Sequence, residues 1–238
     1  MAQIICQYRK GDDARWISHL DVKRTLERAM RRAQLPLALT EGHNPHPKLS
    51  FGPPLSVGIT GSAEMFAIHL ESTLAPDAVK ERLNAQLPPG LQILEAWVLP
   101  GYRKKETFGE IDVAEYEVMF GGIGADEVEA RIADLLAREQ LMVQRGGDRP
   151  ERSIDVRPFI LTVSVMGSTD GEVSLRMRLR TGSHGGARPQ EIVELLGLHE
   201  GDGLVRCHRT GLYASQQETP RPAAQTRRRW SQTRGRRS

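Results

Sequence analysis

Cysteines, aromatic residues and long apolar runs are all scarce in this sequence. Its 238 residues include only two cysteines, Cys6 and Cys207, and aromatics make up 5%. Two cysteines are too few for a disulfide framework and lack the spacing of a zinc or iron–sulfur site, so both are predicted to be buried thiols. No apolar run approaches the roughly 18 residues of a membrane helix, and the first residues lack the regions of a signal peptide. A cytoplasmic protein with no membrane partner is therefore expected.

The short motifs of several enzyme classes are also missing, since Gly-x-Ser-x-Gly, His-Glu-x-x-His and Cys-x-x-Cys do not occur. Aromatic residues are too few for the base-stacking sheet of RNA-recognition motifs, and the predicted strand 66–70 lacks their pattern. If nucleic acid binds to this chain, cations and the phosphate backbone are expected to dominate the contact.

Charge is informative when it is divided along the chain. The formal net charge of +3 comes from 33 Lys and Arg against 30 Asp and Glu. Residues 221–238 hold seven Arg and no acid, so residues 1–220 carry −4. Within that part, residues 1–60 carry +4 and residues 61–220 carry −8. Two basic regions on an otherwise acidic protein suggest a polyanionic partner.

Periodicity predicts an α+β protein of two tandem ferredoxin-like domains. Domain 1–99 is predicted to contain strand 3–9, helix 19–33, extended segments 37–41 and 49–51, strand 64–70, helix 76–86 and strand 91–98. This is the β-α-β-β-α-β order of the ferredoxin-like fold. After a linker at 100–112, domain 113–213 nearly repeats it, with strands 113–120, 141–145, 155–166, 172–180 and 203–210 and helices 125–139 and 190–196.

The segment 214–238 is predicted to be a disordered basic tail, because its Gln, Pro, Thr, Ser and Arg residues cannot bury a core. Its densest cationic cluster is predicted to hold RNA phosphates and consists of Arg227, Arg228 and Arg229.

The first predicted helix has two distinct faces. Ser18 stands at the N-cap position, Asp21 completes a capping box, and Ile17 and Val22 can form a hydrophobic staple. Apolar residues share one arc, and five cations are predicted on the opposite arc: Lys23, Arg24, Arg28, Arg31 and Arg32. These cations form either an ordinary solvated face or a stripe that contacts a phosphate backbone without reading its sequence.

The segment 42–48, Gly-His-Asn-Pro-His-Pro-Lys, is predicted to be a stiff loop, because each Pro restricts its own φ and the residue before it. A stiff polar loop fixes the directions of its side chains, so Asn44 and Lys48 are candidate RNA-binding residues. A loop that merely caps a sheet is the alternative.

Three histidines in this region can be assigned chemistry. His43 and His46, with His19, are potential metal ligands, but no metal site is predicted, because no Cys or paired carboxylates accompany them. A helix N-terminus disfavours the imidazolium, so neutral His19 can accept a proton. His19 and His46 are therefore the candidate base and acid if the chain is an enzyme, and the alternative for His19 is a packing role.

Two sites are considered in the second half. The glycine-rich segment 182–189 precedes a helix, and Arg188 within it is a candidate phosphate contact, with a flexible connection as the alternative. Asp155 and Arg157 share one face of a predicted strand and can bridge each other.

Three segments of the sequence together resemble the radical-SAM-linked family of bacterial proteins. They are 16–21 (Trp-Ile-Ser-His-Leu-Asp), 31–36 (Arg-Arg-Ala-Gln-Leu-Pro) and 41–51 (Glu-Gly-His-Asn-Pro-His-Pro-Lys-Leu-Ser-Phe). Weaker matches at Asp155-x-Arg157-Pro158 and Arg188-Pro189 extend the resemblance over most of residues 3–213. His43 departs from the pattern, because the family usually has an aromatic residue there.

The resemblance implies association with an atypical radical SAM protein, to which such domains are adjacent or fused. It also implies a gene neighbourhood shared with a ribonuclease of the E/G class and with ribosomal proteins. A radical SAM cluster needs three closely spaced cysteines, so no cofactor is expected in this chain, and the iron–sulfur cluster and SAM are expected in the partner.

These observations together predict an RNA-binding accessory protein. It is expected to present RNA or a ribosomal particle to the radical SAM partner for modification or maturation, as a non-catalytic subunit rather than an enzyme. One alternative is a metal-independent endoribonuclease that uses His19 and His46. The other is a protein-interaction module that binds no RNA.

Overall fold

A computed structural model of the chain describes residues 2–99, 107–146, 150–182, 185–198 and 206–215. The fold is mixed α+β, with four α-helices among these residues and mainly antiparallel strand pairing. Two compact units are present, one of residues 1–111 with 211–238 and one of residues 112–210. The predicted tail 214–238 lies almost wholly outside the described residues, as does about half of the predicted linker. None of the helices described is long and apolar enough to cross a membrane.

The first unit follows the predicted order of elements: β1 (Ala2–Lys10), α1 (His19–Arg32), β2 (Leu49–Phe51), β3 (Thr60–Leu70), α2 (Pro76–Asn84) and β4 (Leu91–Val98). The strand order is β4-β1-β3, with β2 paired to β3, and all these pairs are antiparallel. The extended segment expected at 37–41 forms only isolated bridges, at Leu37 and Leu39. Pro36 and Pro47 lack the N–H groups that a longer ladder would need.

The core of the first unit is formed by alternating strand residues and by one face of each helix. α1 buries Val22, Leu26, Ala29 and Met30, which recur at the spacing of an amphipathic helix. The strands and α2 add further fully buried side chains, among them Ile4, Cys6, Phe66, Ile68, Leu83 and Ile93. Burial raises the pKa of the Cys6 thiol to about 12. Cys207 is also a buried thiol, as predicted for both cysteines.

The second unit contains β5 (Val113–Gly121), α3 (Ala125–Ala137), β6 (Met142–Arg145), β7 (Arg152–Asp155), β8 (Ile160–Thr169), β9 (Glu172–Arg180), α4 (Pro189–Leu195) and β10 (Arg206–Tyr213). β10, which ends in residues grouped with the first unit, lies beside β5, and the order is β10-β5-β9-β8. β6 and β7 form a separate hairpin. The prediction of one long strand at 155–166 is wrong, because a 3-10 turn at Arg157–Phe159 separates β7 from β8. Pro158 lacks the donor that a continuous ladder would need there.

Asp155 and Arg157 stabilise this turn region through the backbone. The Asp155 carboxylate accepts from the N–H groups of Leu141 at 2.8 Å and Arg157 at 3.0 Å. The Arg157 guanidinium donates to the carbonyl oxygens of Leu136 at 2.9 Å and Arg138 at 3.2 Å, at the end of α3. The two side chains therefore serve separate backbone groups, and a bridge between them is not what the structure shows.

Candidate nucleic-acid interface

The start of α1 is fixed by the predicted cap. The Ser18 side chain accepts from the Asp21 N–H at 3.2 Å and its hydroxyl donates to the Asp21 carboxylate at 2.6 Å. This hydroxyl bond is the main reason that the pKa of Asp21 lies below its usual value, and the charge of Arg24 adds to it. Capping thus accounts for Asp21.

The five cations of α1 fall into two groups. Lys23 and Arg24 each have an acidic neighbour about one turn away, since Lys23 lies 4.0 Å from Glu27 and Arg24 lies 3.6 Å from Asp21. Lys23 is also half-buried, at the margin of the apolar arc. The second group comprises the exposed arginines that form no ion pair with any described residue, namely Arg28, Arg31 and Arg32. The unneutralised positive charge of α1 is thus concentrated in its C-terminal half.

The loop after α1 is a closed hairpin. The Thr40 N–H donates to the His46 carbonyl at 2.8 Å, and the His46 N–H donates to the Thr40 hydroxyl at 3.0 Å. The Lys48 N–H continues the pairing with a bond of 2.8 Å to the Ala38 carbonyl. Residues 41–46 are exposed and Pro47 is buried. Asn44 therefore lies in an exposed loop whose base is fixed on both sides, and this agrees with the expected stiffness.

Lys48 lies at the base of this hairpin, next to a buried histidine. The His69 N–H donates to the Lys48 carbonyl at 3.2 Å, and the His69 carbonyl accepts from Ala38 at 2.8 Å. Burial, followed by the positive charge of Lys48, lowers the pKa of His69 below its usual value of 6.5. The charge of Lys48 therefore acts on the buried His69 ring at the base of the hairpin.

An aromatic contact joins the helix start to the strand that follows the hairpin. The rings of His19 and Phe51 meet edge to face with centroids 5.5 Å apart, and Phe51 stacks on buried Phe66 at 5.9 Å. Two of the segments that carry the family resemblance are therefore adjacent in the structure. This contact is the packing role considered for His19.

The two candidate catalytic residues, His19 and His46, have different surroundings. His19 is half-buried against Phe51, whereas the His46 side chain is exposed in the hairpin. Within the described part of the chain, no three His, Cys, Asp or Glu side chains are grouped as a metal site requires. An acid–base role for His19 and His46 stays a prediction that this geometry does not strengthen.

The glycine-rich segment before α4 is held by internal contacts. Arg145 makes a two-pronged ion pair with Glu191, at 2.6 and 2.7 Å, and donates to the Gly186 carbonyl at 2.7 Å. Glu191 also accepts from the Arg188 N–H at 2.9 Å in a capping box. A carboxylate of the chain itself thus occupies the start of α4. The Arg188 side chain is exposed, with its Nε 3.9 Å from Glu191.

The arginines of β9 recur with a period of two that is visible in the sequence, but they were not predicted as a basic face. Arg176, Arg178 and Arg180 alternate with buried apolar residues. Arg180 pairs with Asp112, and Arg178 lies 4.0 Å from Glu115 on the neighbouring strand. Cross-strand acids therefore reduce the charge of this face, in contrast to the C-terminal half of α1.

Trp16 is a second feature that sequence reasoning missed. Its side chain is 67% exposed, and the Arg15 guanidinium carbon lies 4.7 Å from the centroid of the ring. In the sequence, Trp16 stands out only as part of a family segment. Arg227, Arg228 and Arg229 of the tail lie outside the described residues.

Comparison with known proteins identifies one family. The profile of a family described as "Uncharacterized protein conserved in bacteria (DUF2344)" matches residues 3–189. No curated protein matches the chain.

Several solved structures resemble the chain at low identity. A chain of the "Crystal Structure of a Cbf5-Nop10-Gar1 Complex" is 11% identical, with a TM-score of 0.46 and coverage of 88% of this chain and 48% of that one. A chain of the "Structure of H/ACA RNP bound to a substrate RNA containing 2'-deoxyuridine" is 12% identical, with a TM-score of 0.40 and coverage of 87% of this chain and 46% of that one. A chain of the "Crystal structure of the archaeal box H/ACA sRNP Nop10-Cbf5 complex" is 11% identical, with a TM-score of 0.41 and coverage of 87% of this chain and 46% of that one. The chain spans about half the length of the solved chains that it matches.

Proposed function

The chain belongs to this family of uncharacterized proteins conserved in bacteria, and from that premise we propose that it is an RNA-binding accessory protein. The observation that carries the proposal is the group of exposed arginines in the C-terminal half of α1: Arg28, Arg31 and Arg32. No described acid pairs with them, so their charge is available to a polyanion. The basic tail, with seven Arg, supplies a second anchor for phosphates.

The exposed hairpin and Lys48 extend the proposed interface. The hairpin presents Asn44, an amide that can both donate and accept hydrogen bonds, on a base fixed by the Thr40–His46 pair. Phosphate contacts by cations position RNA without reading its sequence, whereas an amide side chain can contact bases. We assign positioning to the arginines and Lys48, and selectivity to the hairpin.

Charge reversal on α1 tests this proposal. The Arg28→Glu/Arg31→Glu/Arg32→Glu variant is expected to weaken RNA binding and to reduce the slope of log K against log salt by about 2, because each lost contact to a single-stranded phosphate removes about 0.7. Filter binding of the full chain over a range of salt concentrations measures the slope.

Arg82→Glu is the matched control, because Arg82 is an exposed cation in the last turn of α2 in the same unit. It is expected to leave the slope unchanged. Equal slopes for the triple variant and the wild type would contradict the proposal.

The partner in this proposal is a radical SAM protein to which the chain presents RNA or a ribosomal particle. Its support is the resemblance carried by segments 16–21, 31–36 and 41–51, two of which meet through His19 and Phe51. The iron–sulfur cluster and SAM are assigned to the partner, because the two cysteines of this chain are far apart in sequence and buried. Co-purification of the full chain with the radical SAM protein, with and without ribonuclease, tests this assignment.

We propose a ferredoxin-like fold for each unit. The strand order β4-β1-β3, with β2 on β3, supports it in the first unit, and the order β10-β5-β9-β8 supports it in the second. In the second unit the β6–β7 hairpin is an addition between α3 and β8. Nuclear Overhauser contacts between β1 and β3, and between β5 and β9, test these strand orders.

A further inference from the structure

An exposed apolar group lies at the start of α1. Trp16 is 67% exposed, Leu20 51% and Val57 47%, although side chains of this kind are usually covered. Val57 adjoins Gly58, and a Cβ placed on Gly58 would lie 3.3 Å from Cζ3 of Trp16. Trp16 and the 57–58 turn are therefore neighbours at this surface.

The Trp16 ring is held in place although it is exposed. Gly58 has a φ of +82° and no side chain, which leaves room for the ring. The Gly58 N–H donates to the Arg15 carbonyl at 2.8 Å, and the Lys10 ammonium donates to the same oxygen at 3.1 Å. These bonds fix the backbone next to Trp16, and the Arg15 guanidinium lies over its ring. Such a ring loses little conformational freedom when a flat partner stacks on it.

A row of exposed residues runs along α1 and begins at Leu20, four positions after Trp16 in the chain. At 100° per residue, four exposed side chains fall within an arc of about 80°: Leu20, Arg24, Arg28 and Arg31. From Leu20 to Arg31 the row is about 16 Å long at the rise of an α-helix. An exposed aromatic side chain just before a helix, together with three cations along that helix, is the combination of side chains that holds single-stranded nucleic acid.

We infer that this surface, Trp16 with the α1 row, binds single-stranded RNA, with an unpaired base stacked on Trp16 and the backbone following the arginines. The inference rests on the proposed RNA-binding function and deepens it, because it specifies an unpaired ligand and the residue that holds its base. A paired base within a duplex offers no free face to Trp16. The cations that continue the apolar group favour a polyanion over an apolar protein partner.

Fluorescence of a single-tryptophan chain tests the inference. The full chain carrying Trp97→Phe and Trp230→Phe keeps Trp16 as its only tryptophan. An unstructured 12-nucleotide RNA is expected to quench its emission, whereas a duplex of the same composition leaves it unchanged.

Affinity measurements on the otherwise native chain give the second readout. Trp16→Ala is expected to weaken binding of the single strand by about 5- to 150-fold, the range of one base–aromatic stack, and to leave the salt slope unchanged. Trp16→Phe keeps most of the affinity, because a phenyl ring still stacks. Met166→Ala is the matched control, since it removes an apolar side chain, 50% exposed, from the other unit.

The outcomes separate this inference from the proposed function. Salt-dependent RNA binding that arginine reversal weakens, with no quenching and no effect of Trp16→Ala, overturns the inference and leaves the proposed function standing. No RNA binding by the wild type overturns both. Unchanged RNA affinity, together with loss of a co-purifying protein from Trp16→Ala, assigns the surface to a protein partner and also overturns the inference.

Discussion

At the residue scale, Gly90 occupies a position that excludes a side chain. Its φ is +85°, and a Cβ there would lie 2.7 Å from the Ala14 nitrogen and 2.9 Å from the Asp13 Cβ. The Gly90 carbonyl also accepts from the Gly11 N–H at 2.8 Å, so the two segments cannot separate freely. The turn that starts β4 therefore depends on a glycine.

Gly90→Ala is expected to lower the free energy of unfolding by about 2–3 kcal/mol, through backbone strain and the clash with Ala14. Urea denaturation measures the change. Gly167→Ala is the control, because a Cβ on Gly167 meets no atom within 4 Å, and it is expected to change stability by less than about 0.5 kcal/mol. Equal stability of the two variants would show that the turn relaxes at little cost.

His69 makes stability depend on pH. It is 6% exposed, and burial and the Lys48 charge lower its pKa below 6.5 in the folded chain. The unfolded chain therefore binds a proton first as the pH falls, so this contribution to stability is intact above about 6.5 and is lost below it. Denaturation at several pH values between 5 and 8 is expected to show this loss.

The His69→Gln variant is expected to show a smaller fall in stability below pH 6.5 than the wild type, because its side chain binds no proton. Lys48→Met is expected to reduce the fall in part, because it removes the second cause of the shift. The matched variant His46→Gln removes an exposed imidazole and controls for the loss of a histidine as such. A His69→Gln profile identical to that of the wild type would contradict this assignment.

At the scale of elements, Arg145 ties the β6–β7 hairpin to the start of α4. Its ion pair with Glu191 has two short contacts, and Glu191 is only 8% exposed. Removal of Arg145 leaves the buried Glu191 carboxylate with the Arg188 N–H and the more distant Arg188 guanidinium as its remaining partners, and the loss of a buried ion-pair partner is costly. Arg145→Ala is expected to lower the free energy of unfolding by about 3 kcal/mol in urea denaturation.

Arg206→Ala is the control for this pair, because Nη2 of Arg206 donates to both carboxylate oxygens of Glu172, at 2.6 and 2.7 Å, but on the surface. Its loss is expected to cost less than about 1 kcal/mol. If the two variants were equally stable, the burial of Glu191 would not be the cause of the stability lost in Arg145→Ala.

At the scale of the whole molecule, charge is distributed unevenly between body and tail. Residues 1–220 carry −4, while residues 221–238 carry seven Arg and no acid. A chain ending at Glu218 is expected to retain the same discrete RNA as the full chain after crosslinking in cells, because recognition is assigned to α1 and the hairpin that follows it. Its salt slope is expected to be smaller by up to about 5, the sum of seven lost contacts to single-stranded phosphates.

Sequencing of the RNA retained by each chain decides the point. If the truncated chain retains no RNA, the tail is only an electrostatic anchor, and the interpretation as a protein-interaction module takes precedence.

The sequence by itself determined the local features, because they depend on neighbours in the chain. The Ser18 cap, the apolar arc of α1 and strand 91–98 were predicted from spacing and are found in the structure. A stiff loop at 42–48 was predicted from its prolines, and the hydrogen bonds that close its base were found only in the structure. The break near Pro158 was missed, although the proline that causes it is visible in the sequence.

Tertiary structure alone decided which charges and rings are available. The sequence does not distinguish Arg28 from Arg178. In the structure, Glu115 of a neighbouring strand lies beside Arg178, whereas no described acid forms an ion pair with Arg28. The placement of Gly58 against Trp16 likewise depends on a contact between separate segments. Whether a side chain is available for binding depends on residues that are distant in sequence and close in space, and local periodicity does not reveal those residues.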